Sequence, residues 1–189
     1  MPPEHYAWHR AWIVSLSNPS PEPLVSPDTD LIEEILRLAP GSPLALLRAQ
    51  RPEARQHAEG AFQELLLPRD PGGVSLAERA ALAVRVALRE GDPALAARFR
   101  ALVDAADPAI IAAEDLATPS GDGRMAVLLR HADILTTNPA ACCAAEIAAL
   151  TALGLSPRDI VAISQLASFV PYQVRLLAGL RLLQQEQAA

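Results

Sequence analysis

The sequence predicts an all-α domain of eight or nine helices, and three observations carry that reading. No segment sustains the period-two alternation of β-branched residues that a strand needs. Hydrophobic residues make up 51% of the 189 positions and aromatic ones only 4%, so Leu, Ala, Val and Ile must fill the core, and Ala and Leu favour helices. The chain is also punctuated by Asp or Ser followed by Pro, and by closing glycines, which are helix start and stop signals. Two parts follow: an N-terminal arm with a Pro/Ser-rich linker over 1–29, and a helical domain over 30–189.

The arm gathers His5, Tyr6, Trp8, His9 and Trp12. A spacing of four puts His5 and His9 on one helical face, as a metal pair needs, but no third ligand follows, so no metal is expected. Rings that pack on the body or on a neighbouring subunit account for the arm. The stretch "SNPSPEPLVSPD", 17–28, reads as the linker.

In the body, "DTDLIEEILRLAPG" opens at an Asp/Thr cap and stops at Pro-Gly. "SPLALLRAQRPEARQHAEGAFQELLLP" holds a short helix and then a longer one from Pro52. "DPGGVSLAERAALAVRVALREG" turns at Gly72–Gly73, caps at Ser75 and runs to Gly91. "DPALAARFRALVDAA" restarts with Asp92 as cap and Pro93 in the first position, and "DPAIIAAEDLA" repeats that start. After "TPSGDG" comes "RMAVLLRHADILTT", then a helix over 139–153 capped by Asn138. That helix is apolar over most of its circumference, with Glu146 its main charge, so it is expected to be buried. The last segment opens at Ser156–Pro157 and is expected to break near Pro171.

Composition narrows the chemistry. The formal charge is −6 and every one of the 16 basic residues is Arg, so Schiff-base and P-loop lysines are excluded. Without a basic stripe, no nucleic-acid partner is expected. The N-terminus lacks a basic region followed by a long apolar run, and no apolar stretch reaches 18 residues without a charge. Neither a targeting signal nor a membrane partner is expected, and a cytoplasmic location follows.

The only two cysteines, Cys142 and Cys143, are adjacent. On a helix, neighbours point about 100° apart. A vicinal disulfide would need a strained peptide that a helix does not allow. No basic residue lies within a turn to stabilise a thiolate. Two small buried residues in an Ala-rich helix are the expectation, ahead of a regulatory or peroxidatic thiol.

Three pieces carry a family resemblance: "SLAERAALAVRVAL" at 75–88, "RMAVLLRHADILTTNPAA" at 124–141 and "LTALGLSPRDIVAISQLASFVPYQVRLLAGL" at 150–180. In order and spacing they resemble the carboxymuconolactone decarboxylase / AhpD-like superfamily, closest to its peroxidase-related branch, over roughly 30–183. The resemblance implies an AhpD-like helical domain. It also implies a relay of a Glu, a C-x-x-C pair and a His four residues on, acting against hydroperoxide or a disulfide. Anchored at Ser75 and Arg79, this chain places Ala80 at the Glu, Asp92 and Leu95 at the two Cys, and Phe99 at the His. No Cys lies anywhere in 75–103, so shifting the register cannot restore the pair.

Other residues hold some chemistry. His131 sits between Arg130 and Asp133, and His57 between Gln56 and Glu59; a lone helical His is most simply a surface or hydrogen-bonded residue. Arg175 lies in an otherwise apolar stretch and needs a partner, either an acid on another helix or an anion in a pocket. Gln165, Tyr172 and Gln173 lie in the same stretch, as pocket lining or as interhelical hydrogen-bonders. The expected function is that of an AhpD-like protein without peroxidase chemistry, a binding or assembly partner with no cofactor. Its partners are other copies of the chain or an active AhpD-like homologue. The alternative is a cofactor-free decarboxylase-like enzyme on a small carboxylic acid or lactone, with His131 and Arg175 on one cavity. A thiol peroxidase through Cys142–Cys143 comes last.

Overall fold

The computed structural model describes residues 30–188. Among them are nine α-helices and no strand, as the sequence predicts. The helices are α1 (Leu31–Leu36), α2 (Pro43–Ala49), α3 (Pro52–Leu66), α4 (Leu76–Arg89), α5 (Pro93–Arg100), α6 (Pro108–Glu114), α7 (Arg124–Thr137), α8 (Ala144–Ala152) and α9 (Pro157–Ala188). The arm, with His5, Tyr6, Trp8, His9 and Trp12, lies outside the described residues.

Most boundaries follow from their caps. Asp30 accepts from Ile32 N–H at 2.7 Å to start α1. Ser75 and Glu78 form a reciprocal capping box at α4, and Asp107 caps α6. Gly91, at φ 79°, turns the chain from α4 into α5; a Cβ there would sit in the left-handed region that side chains avoid.

Helix α4 is the axis of the domain. Every residue from Arg79 to Ala87 is buried, and α3, α5, α6, α7 and α9 surround it. Two arginines share this interior, and each is satisfied. Arg79 donates to three carbonyls, those of Val74 at 3.1 Å, Leu65 at 2.9 Å and Pro71 at 2.9 Å. Arg85 forks onto Asp133 at 2.8 and 2.6 Å and also donates to the carbonyls of Asp115 and Ala117. These bonds pin the α3–α4 and α6–α7 connections to the central helix.

Two expectations fail. Helix α9 runs through Pro171 without a break. Proline removes one backbone hydrogen bond and costs about 3 kcal/mol in a helix interior. Here Pro171 is buried, and α9 packs against α1, α2, α3, α4, α7 and α8, so tertiary contact outweighs the local penalty. The second failure lies at 138–153. Asn138 makes no side-chain cap bond, Pro139–Ala141 form only a 3₁₀ turn, and α8 starts at Ala144 with Cys143 in the capping position. Its apolar composition does not bury it: Leu150 is its one buried residue, and Ile147 is 38% exposed.

Helix α9 is long and apolar enough to cross a bilayer by length and composition alone, but half of its apolar window is buried within the domain. Burial in the core accounts for that composition.

Candidate functional site

The segment aligned with a redox centre is solid core. Ala80 is 1% exposed, and Leu95 and Phe99 are fully buried. Phe99 stacks on Phe62 with ring centroids 6.4 Å apart. A helix start is present at Asp92. Asp92 accepts from Leu95 N–H at 3.0 Å, so its carboxylate occupies the place where a helix-terminal thiolate would sit.

Asp92 has a partner that sequence reasoning missed. Arg181, near the far end of α9, reaches Oδ2 at 2.6 Å and Oδ1 at 3.3 Å. Burial by itself would raise the Asp92 pKa. The hydrogen bond from Arg181, the Leu95 N–H and the Arg181 charge outweigh it and hold the carboxyl below its usual value. The two residues lie 89 apart in sequence, and no local pattern links them.

The four polar candidates of the last helix do not converge. Gln165 and Tyr172 are two turns apart on one face and line a shallow apolar groove of about 830 Å³ between α3, α8 and α9. Gln173 is buried on another face, and its Oε1 has no partner among the described residues. Arg175 is exposed and makes no ion pair among the described residues. It lines neither this groove nor the cleft beside α2. His57 is exposed.

His131 is not a surface residue. It is 2% exposed, and its Nε2 lies 2.9 Å from Ser164 Oγ. Its Nδ1 is buried without a hydrogen-bond partner, and so is Oε2 of Glu146. Burial pushes the imidazole pKa down, while the Glu146 charge pulls it back up. Ser164 lines the same groove as Gln165. Its place one residue before Gln165, on the helix facing His131, was the signal available in the sequence.

The cysteines also differ from expectation. Both thiols are free; Cys143 is exposed and Cys142 half-buried. They flank the junction between the 3₁₀ turn and α8 rather than lying inside a helix. No group of three or more His, Cys, Asp or Glu side chains suited to a metal occurs among the described residues.

A second surface lies beside the first. A cleft of about 400 Å³ between α2, α3 and α9 is lined by apolar residues that include Leu47, Ala54, Ala58, Tyr172 and Leu176, and also by Arg48, Arg51 and Arg55. From Tyr172 the same face of α9 continues through Leu176 and Gly179 to Leu183, a spacing of three and four that keeps one stripe. Tyr172 is 45% exposed, Leu183 39% and, on α2, Leu46 59% and Leu47 46%. No family model and no curated protein matches the chain.

Proposed function

We propose that this protein is a non-thiol member of the AhpD-like superfamily that works by assembly, forming a homo-oligomer in the cytoplasm without a cofactor of its own. The core-filled position around Asp92, Leu95 and Phe99 supports the loss of sulfur chemistry. The observation that carries assembly is the stripe of Tyr172, Leu176 and Leu183 on α9, flanked by Leu46 and Leu47 on α2. Positions spaced three and four apart along a long helix, here Tyr172, Leu176, Gly179 and Leu183, match the way helices pack side by side. Gly179 lies within the stripe and allows close approach of a second helix. An active AhpD-like homologue presenting the same kind of helix is the other occupant this surface fits.

Light scattering on the full chain at micromolar concentration tests the reading. An oligomeric mass is expected, with Leu47→Glu and Leu183→Glu each shifting it toward monomer. A monomer for the unaltered chain overturns self-assembly, and an oligomer indifferent to both substitutions overturns the assigned face. The decarboxylase-like alternative required an acid/base group and Arg175 on one cavity. His131 is buried behind Ser164 and lines neither surface, and Arg175 lines neither, so nothing favours that alternative.

A further inference from the structure

We propose that Ser164, His131 and Glu146 form a nucleophile–base–acid relay at the floor of the α3/α8/α9 groove, and that the groove takes uncharged esters with an apolar acyl chain. The inference rests on a different observation from the assembly stripe, although Tyr172 borders both surfaces.

The argument starts from hydrogen accounting. Ser164 has one hydroxyl proton and two acceptors in reach, the Ile160 carbonyl at 2.7 Å and His131 Nε2 at 2.9 Å. If the proton goes to Ile160, Nε2 must carry the ring proton and donate to Oγ. That leaves Nδ1 a bare lone pair, buried, in the field of the Glu146 carboxylate. If the hydroxyl instead turns to Nε2, the ring proton moves to Nδ1, where the Glu146 charge favours it. Serine hydroxyl to Nε2 with Nδ1–H facing a carboxylate is the arrangement that activates a serine nucleophile. Glu146 Oε2 lies 3.6 Å from Arg130 Nε, an ion pair without a hydrogen bond; it and His131 Nδ1 are both buried without a hydrogen-bond partner and are not bonded to each other, so Glu146 acts on the imidazole through its charge.

The groove selects the substrate. Ile147, Ile160, Phe169 and Tyr172 make its wall apolar, and Glu64 is its one charged lining residue. A carboxylate-bearing substrate is disfavoured there, and an alkyl acyl chain is favoured. Gln165 is the one side-chain amide on the groove, and its N–H₂ is the donor for a developing oxyanion. In the step itself, Ser164 Oγ bonds to the acyl carbon while its proton passes to His131 Nε2. The ester C–O bond breaks, and the leaving alkoxide takes that proton from Nε2. Water, deprotonated by the same nitrogen, then attacks the acyl carbon; the acyl C–Oγ bond breaks, Nε2 returns its proton to Ser164 Oγ, and the carboxylic acid leaves. Ester plus water gives acid plus alcohol, with no redox change.

The test uses the full chain, an alkyl fluorophosphonate and p-nitrophenyl butyrate. A single phosphonyl adduct on Ser164 is expected by peptide mass, together with ester turnover abolished by Ser164→Ala. Gln165→Ala is expected to lower turnover at least tenfold with helical content unchanged. Glu146→Gln is expected to move the acid limb of the acylation profile to lower pH, a shift that a merely structural role does not produce. No adduct on Ser164 of the folded chain, or turnover that survives Ser164→Ala, overturns the proposal. An unshifted acid limb removes Glu146 from the relay and overturns the three-residue form.

Discussion

Replacing Asp92 separates two contributions that the structure places on one carboxylate. As an N-cap, it accepts from Leu95 N–H, and such caps contribute about 1 kcal/mol. As an ion-pair partner, it holds Arg181 through two bonds, and hydrogen bonds to charged groups contribute about 1.5–3 kcal/mol. That second figure needs a discount, because the Arg181 side chain is 38% exposed and its guanidinium returns to water when the partner goes. Asp92→Ala is therefore expected to cost about 2–3 kcal/mol in a urea titration at neutral pH. Asp92→Asn keeps a capping oxygen and loses the charge, so it is expected to cost about half as much. Because the carboxyl sits below its ordinary pKa of 3.8, the pair's contribution is complete above that value and lost as the pH falls through the lower folded one. The gap between the native chain and Asp92→Asn should accordingly be constant from neutral pH to about 5 and close in strong acid. A double-mutant cycle with Arg181→Met is expected to show coupling of about 1 kcal/mol. Zero coupling, or a gap that persists below pH 2, would refute the assignment of the depressed carboxyl to Arg181.

Further outcomes follow from the same geometry. Asp133→Ala strands the fully buried Arg85 guanidinium and is expected to cost about 3–5 kcal/mol by denaturant titration; a loss under 1 kcal/mol would mean the two carbonyl partners suffice. His131 is held neutral in the fold, so the unfolded chain binds the extra proton as the pH drops below its ordinary 6.5, and stability falls there; His131→Gln should flatten that fall between pH 6.5 and 5, and an unchanged slope would count against burial of the ring. Gly72→Ala puts a Cβ 2.5 Å from Asp159 Oδ1 at a φ of +63°, and a loss of roughly 1–2 kcal/mol is expected in thermal or urea unfolding. Hydroperoxide turnover should stay at the blank level, while Cys143 should react with a disulfide reagent faster than the half-buried Cys142; the reverse order would contradict their placement.

The local punctuation was the most legible part of the chain. Asp30, Ser75, Asp92 and Asp107 each cap the helix that follows, because a cap is settled by three or four consecutive residues. The absence of Cys from 75–103 was equally readable, since an absent residue needs no fold to reveal it. What failed depended on distant partners. Pro171 looked like a helix breaker by propensity, and only the surrounding helices keep α9 whole. The Asn138 segment looked like a helix by composition, yet a proline directly after the asparagine closed a 3₁₀ turn and moved the true start to Ala144. His131 read as either a surface or a hydrogen-bonded residue; it is the latter, and its partner Ser164, 33 positions away, could not be named from local sequence.

The same contrast bears on what holds the start of α5 in place. A thiol at a helix start and a capping aspartate make the same demand on the backbone, because both need an N-terminus with free N–H groups. The positions one and two turns further on demand only a side chain of suitable volume. Leu95 and Phe99 meet that demand with apolar surface, and Phe62 closes against the ring. The charge on Asp92 is a liability, since a buried carboxylate without a cation is costly. Arg181 removes it, and because that arginine sits on α9, the contact ties the end of the longest helix to the start of α5. The Asp92–Arg181 pair is therefore a cross-link between two elements at the start of α5. Placing Cys at 92 and 95 would consequently leave Arg181 without its carboxylate beside a new thiol, whose pKa it would lower. Thiol titration of that double substitution should show a depressed value, and an ordinary value near 8.5 would mean that Arg181 had turned away to solvent.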